Sequence, residues 1–323
     1  MSLARYIRNP ILYPDPRNYW EAGGTFNPCV INFNKKIVML YRALSAPLQR
    51  NFGEYLQVSS IGYAESKDGF NFKNKKFFFG PEYAWEGYGC EDPRIVFFEK
   101  EYYIFYTAVA SWPPVPDAVK VALATTKDFK TYKKLGIVTP FNAKAMSLFP
   151  KRINGKVAAI FQYNSDRPPS KVIVTFWDEV EDMVKATEET WKKFVSSSNI
   201  GKYTVFEAIP PQKYVEVGAP PIETEEGWLM IYPDITPENT FRIAACLLDY
   251  ENPTKILAKT KKPLLEPMTD YEIMGNIPNV LFPSGALVKD GKLWVYYGAA
   301  DKYIGIAYCN FDELMRKLIR ETK

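Results

Sequence analysis

The chain has 323 residues, a net charge of +4 and no histidine. So small a charge, with its Lys and Arg scattered rather than clustered, gives no footing for nucleic acid. The missing histidine removes Ser-His-Asp and Cys-His catalysis and His-ligated metals, and leaves acid–base work to carboxylates, tyrosines, lysines or thiols.

The N-terminal stretch Met1 to Arg8 is charged and has no long apolar run. A secretory leader is therefore not expected, and no segment has the length of a membrane span. The four cysteines, Cys29, Cys90, Cys246 and Cys309, have no metal-ligand spacing. Buried free thiols in a reducing, cytoplasmic setting are expected, with no disulfide framework and no zinc site.

From Cys29 onward one motif recurs five times. An apolar strand, a tight turn and an aromatic strand are followed by a strand of small residues. The first copy runs from Cys29 to Arg42 and closes with Ile61 to Gly69; the second runs from Arg94 to Tyr106 and closes with Val121 to Asp128. Leu148 to Phe161, Pro221 to Tyr232 and Gly285 to Tyr297 begin the others. The Asn154-Gly155 and Asp290-Gly291 pairs are hairpin signals. The loops between copies repeat as well, Trp20-Glu21 to Pro28 matching Trp85-Glu86 to Pro93. A repeat of roughly 50–70 residues built of short strands predicts a radial array of sheets, an all-β five-bladed β-propeller in one domain spanning 1–323. A two-sheet sandwich would not explain the repeated crossing loops.

Two stretches break the pattern. Residues 178–196, after the third copy, have helical period, with Val180, Met183, Val184, Trp191, Phe194 and Val195 on one side. Residues 311–321 form an amphipathic C-terminal helix, acidic at its start and basic at its end. Trp112 to Pro116 and Asp166 to Ser170 are ordinary loop signals.

In such an array the residues that begin each inner strand converge on a central funnel. They are Phe26-Asn27-Pro28, Glu91-Asp92-Pro93-Arg94, Met146-Ser147-Leu148, Gly218-Ala219-Pro220 and Phe282-Pro283-Ser284. Only the second carries carboxylates, which marks Asp92, and beside it Glu91, as functional candidates. Arg42, near Asn27, and Asp301, after the last aromatic strand, join them by position. Asp166 and Asp234 are expected to be solvated loop charges. Carboxylates and Arg with Trp20, Trp85 and Tyr88 nearby suit a sugar, whose hydroxyls take the polar groups and whose C–H face takes the rings.

At this point the chain resembles glycoside hydrolase family 130, five-bladed propellers that cleave β-mannosides by phosphorolysis or hydrolysis. The resemblance rests on Glu91-Asp-Pro-Arg-Ile95, Ser147 to Lys156, Gly218 to Leu229, Pro278 to Pro283 and Tyr297 to Asp301, in order along nearly the whole chain. It implies that Asp92 is the acid, its proton passing through a sugar hydroxyl with inversion. It implies that Asn27, Arg42 and Asp301 hold the terminal mannose, with Glu91, Arg94 and Lys144 also in contact with substrate. The basic residues that phosphorylases of the family place around phosphate fall here on Phe161, Gln162, Lys144 and Glu216, and two tyrosines fall near Asn239 and Phe241. An ionised Glu216 would repel phosphate, so hydrolysis is favoured, with Glu216 as the base for water and Glu223 as second choice. The alternatives are a mannoside phosphorylase using inorganic phosphate as co-substrate, held by Lys144, Arg94 or Arg152, and a sugar-binding propeller without turnover. The expected partner is a mannose-containing oligosaccharide. No metal or other cofactor, nucleic acid or membrane is expected, and homo-oligomerisation is left open.

Overall fold

A computed structural model describes residues 2–49 and 55–320. The predicted hairpins close where the turn chemistry lies. Asn154 and Gly155 have φ of 50° and 78°, and Asp290 and Gly291 have 50° and 69°, the left-handed pairs of a tight two-residue turn.

Five antiparallel units of four strands follow. The first holds Gly24–Phe33, Lys36–Leu44, Ser59–Ser66 and Lys73–Phe79; the second Gly89–Phe98, Glu101–Val109, Val119–Thr126 and Lys133–Ile137. The third holds Ala143–Leu148, Val157–Tyr163, Lys171–Trp177 and Thr204–Glu207; the fourth Ile222–Thr224, Gly227–Ile235, Phe241–Leu248 and Ile256–Lys259. The fifth has only three strands from its own stretch, Leu281–Lys289, Lys292–Ala299 and Tyr303–Asn310. Its outer place is filled by Ala4–Arg5, with Ala4 opposite Tyr308. The chain thus closes the ring on itself, a junction the repeats did not reveal. Because each strand alternates its side chains, each blade has two apolar faces. Among the described residues five buried clusters result, one at each blade interface: Leu40 and Ile61 meet Ile95 and Ile104 between blades one and two, and Met39 meets Trp294 and Tyr296 between blades one and five. Similar clusters join blades two and three, three and four, and four and five. The chain is a five-bladed β-propeller.

Among the described residues a buried clasp recurs three times. Glu21, Glu86 and Glu272, all fully buried, each accept a hydrogen bond of 2.8 Å from a tyrosine hydroxyl, those of Tyr41, Tyr106 and Tyr297. Each also meets a cation: Lys75 at 2.7 Å, Lys134 at 2.5 Å and Arg5 at 2.7 Å. The repeated Trp-Glu of the crossing loops is therefore an anchor, because a carboxylate in the interior needs both a partner charge and hydrogen bonds.

The helical insertion is two short helices, Val180–Lys185 and Glu188–Val195, the second capped by Thr187. It lies inside blade three, before that blade's last strand, rather than between the third and fourth copies. Trp191 and Phe194 pack on Trp177 in the cluster of blades two and three, so the insertion covers an outer flank. The C-terminal helix spans Phe311–Arg320 and buries Leu314, Met315 and Leu318; residue 321 lies outside the described residues. All four cysteines are buried free thiols. Among the described residues no helix is long and apolar enough to cross a membrane.

Candidate active site

The innermost strands carry the site through a shared irregularity. In blades one, two, three and five they slip register against their neighbours between Phe26 and Cys29, Glu91 and Arg94, Lys144 and Ser147, and Phe282 and Gly285. Such a bulge leaves one residue unpaired and re-aims its side chain. In the first three of these that residue is left-handed: Asn27 with φ 47°, Asp92 with 52° and Ala145 with 51°. Asn and Asp tolerate this region better than other side chains, and the following prolines Pro28 and Pro93 hold the next residue extended. Asp301, at the end of blade five's second strand, has φ 50°.

Asn27, Asp92 and Asp301 line a cavity of about 500 Å³ with Arg42, Tyr88, Glu91, Lys144, Asp166 and Glu216. The cavity's size is within the range of small-ligand sites. Asn27 Nδ2 donates to Asp92 Oδ1 at 2.8 Å. The Arg42 guanidinium meets Glu91 Oε1 at 2.7 Å and Asp92 Oδ1 at 3.7 Å, donates through Nε to the Ser59 hydroxyl at 2.9 Å, and lies 4.9 Å over the Phe26 ring. Across the pocket Lys144 meets Asp166 Oδ1 at 3.0 Å, while Asn142 Nδ2 and the Ser165 hydroxyl donate to Asp166 Oδ2 at 2.9 and 2.8 Å.

Two carboxyls are set apart by their surroundings. Burial pushes Glu216 up to about 8, with Asp92 adding to the rise and Lys144 opposing it. Burial likewise pushes Asp301 up to about 7 against the pull of Arg42, with Asp92 and Glu91 adding to it. Carboxyls pushed up by burial in a cleft are common in sites that move protons.

Of the candidates, Asn27, Arg42, Glu91, Asp92, Lys144, Glu216 and Asp301 come together. Glu223 does not: it lies in blade four's first strand but outside the cavity, bound to Lys151 and the Tyr250 hydroxyl at 2.7 Å each. Arg94 is fully buried under the floor, donating to the Gly218 carbonyl at 2.7 Å and to the carbonyls of Asp92 and Pro93, so it braces Asp92 instead of meeting a ligand. Arg152 is a surface residue held by Glu99 and Glu179. Trp20 packs on Tyr41 and Phe77, and Trp85 stacks on Tyr83; only Tyr88 of the three aromatics reaches the cavity. Asp234 pairs with Arg242 outside the site, but Asp166, expected to be solvated, belongs to it. Trp112, Phe282 and Gln57 line it too. The signal for Asp166 was its place one turn past the same strand end that carries Asp301 in blade five.

Two glycines make the floor fit. A Cβ on Gly218 would stand 2.1 Å from the Ile231 carbonyl, and one on Gly298 would stand 2.3 Å from Asn27 Oδ1. Neither position admits a side chain unless the backbone moves, which keeps Asn27 and the Glu216 segment close to the centre.

Comparisons with known proteins agree with this geometry. The model of glycoside hydrolase family 130, described as beta-1,4-mannooligosaccharide phosphorylase, matches residues 12–321. A 1,2-beta-oligomannan phosphorylase of Thermoanaerobacter sp. (strain X514) is 34% identical over 97% of this chain and 99% of its own. A beta-1,2-mannobiose phosphorylase of the same organism is 33% identical over 94% of this chain and 96% of its own. The solved beta-1,2-mannobiose phosphorylase of Listeria innocua, in complex with beta-1,2-mannobiose, superposes with a TM-score of 0.84 at 26% identity, covering 99% of this chain and all of that one. The chain belongs to glycoside hydrolase family 130 and is an enzyme acting on glycosides.

Proposed function

We propose that the enzyme is an inverting β-mannoside phosphorylase acting on β-1,2-linked manno-oligosaccharides and releasing mannose 1-phosphate. The observation that carries this reading is that Lys144 shares the cavity with a Glu216 carboxyl that burial pushes up to about 8. The sequence favoured hydrolysis because an ionised Glu216 would repel phosphate and activate water. A carboxyl at about 8 is mostly protonated at neutral pH. It is then a weak base for water, and a hydrogen-bond donor for a phosphate oxygen beside the Lys144 ammonium. Relatives named as β-1,2 phosphorylases, covering nearly the whole chain, support the same choice and the linkage.

In this mechanism Asn27, Arg42 and Asp301 hold the terminal mannose at the floor. Asp92, fixed by Asn27 and Arg42, supplies the proton that ends on the glycosidic oxygen. Phosphate, held by Lys144 and Glu216, attacks the anomeric carbon from the opposite face. The C–O bond to the aglycone breaks as the bond to phosphate forms, with inversion. Asp166 keeps Lys144 oriented through their contact at 3.0 Å.

The test is product identification with β-1,2- and β-1,4-linked manno-oligosaccharides, with and without phosphate. Mannose 1-phosphate from the β-1,2 series, formed only with phosphate, is expected. Free mannose at equal rates in both conditions would overturn phosphorolysis, and cleavage of the β-1,4 series alone would overturn the linkage.

A further inference from the structure

The geometry points to Trp112 as the stacking platform for the aglycone sugar, an acceptor-side residue that sets affinity for the oligosaccharide. This rests on the reading above, in which the terminal mannose sits at the polar floor. The rest of the substrate must then leave through the mouth of the cavity.

That mouth is apolar on the blade-two side. Trp112, Pro114 and Val115 line it and are exposed, Trp112 at 39%. The other tryptophans of the chain all pack against another ring; among the described residues Trp112 has no ring partner. An exposed indole without a ring partner among the described residues, standing at the entrance of a pocket with a polar floor, has the amphipathic surface that takes the C–H face of a pyranose.

The loop that carries it is held in place. Pro113, Pro114 and Pro116 restrict its backbone. The Ala110 amide donates to the Ala118 carbonyl at 2.8 Å across its base, and Asn142 Nδ2 donates to the Pro116 carbonyl at 2.9 Å. Asp117 pairs with Arg167 of blade three at 2.7 Å. A pre-ordered platform loses little freedom when it binds, so its contact adds affinity instead of being absorbed by loop ordering. Contact through a ring face also reads shape more than individual hydroxyls.

The test uses the full chain as wild type, Trp112→Ala and Trp112→Phe, assayed with β-1,2-mannobiose and β-1,2-mannotriose in phosphate. Binding of mannotriose is also measured by calorimetry on Asp92→Asn with and without Trp112→Ala. For Trp112→Ala the oligosaccharide KM is expected to rise about ten-fold, with kcat and the phosphate KM within about two-fold of wild type. Trp112→Phe should recover most of the loss, and the calorimetric Kd should rise by a matching factor. An unchanged KM and Kd in the Ala variant, or a fall in kcat with a rise in phosphate KM that Phe does not rescue, would overturn the platform. The calorimetric arm needs no turnover, so it still decides on Trp112 if wild type releases free mannose, a result that overturns phosphorolysis alone.

Discussion

The Nδ2 of Asn27 reaches the Oδ1 of Asp92 across 2.8 Å, joining the bulges of the first two blades at the centre of the funnel. Both residues are left-handed, and 65 positions separate them in the chain. One side of the Asp92 carboxylate is thereby occupied by Asn27 and Arg42, which fixes the direction in which it faces substrate.

Replacing Asp92 by Asn should lower kcat by about 10²–10⁴-fold while leaving the melting transition near that of wild type, because the amide keeps the shape of the carboxylate. Steady-state release of mannose 1-phosphate together with a thermal melt checks both parts. Activity at the wild-type level would remove Asp92 from the acid role.

Glu216→Gln separates the two chemistries. With Glu216 as a protonated donor to phosphate, the Gln variant keeps turnover within about ten-fold, because its amide donates in the same place. Wild-type phosphate KM should rise as pH climbs past about 8 and the carboxyl ionises, and the variant should lose this alkaline dependence. Loss of all turnover in the variant would mark Glu216 as a base. The sign for stability follows from proton uptake on folding. The folded value of about 8 lies above the ordinary 4.5, so this group's contribution falls as pH rises from 4.5 to about 8. Urea melts across that window should show a shallower decline in Glu216→Gln.

The clasps should dominate stability. Glu86→Ala leaves the Lys134 ammonium buried with its main partner gone, and leaves the Tyr106 hydroxyl without its acceptor. A loss of about 3–5 kcal/mol is expected, since an interior charge that loses its main partner, here with Glu82 at 3.4 Å and the Gly80 carbonyl left to Lys134, is the costliest outcome of breaking such a pair. Glu86→Gln should cost less, as it keeps an acceptor for the tyrosine. Urea midpoints compare the two, and equal small losses would show that the clasp adds little.

Gly298→Ala tests the close approach at the floor. Its new methyl would stand 2.3 Å from Asn27 Oδ1 and 2.8 Å from Asn27 N, so Asn27 must move and take its hold on Asp92 with it. A drop in kcat/KM of about 10²-fold is expected from such a displacement. The thermal melt shows whether the fold survives; a folded variant with unchanged kinetics would mean that Asn27 does not need this position.

Much of the fold was legible because its signals are local. Asn154-Gly155 and Asp290-Gly291 specify turns from two residues each, and the alternation of apolar and aromatic strands repeats at every blade. The outer strand of blade five was not legible: Ala4–Arg5 is two residues long, and its partner lies some 300 positions away. Within the site, Asp92 was legible because its copies in the other blades are neutral. Arg94 and Glu223 were misjudged because spacing along a strand does not say which end of a blade a side chain reaches, or whether it points into the floor. Trp112 was hidden in a proline-rich loop that looks like any other.

The order of residues by itself determined a ring of five blades, the funnel and the carboxylate at its centre, since each follows from patterns within a few residues or from comparing repeats. The tertiary structure decided the burial that pushes the Glu216 carboxyl up, the pairing of Lys144 with Asp166 and the burial of Arg94. Those depend on how much water each group loses and which charges stand around it, and both are set by residues brought together from different blades.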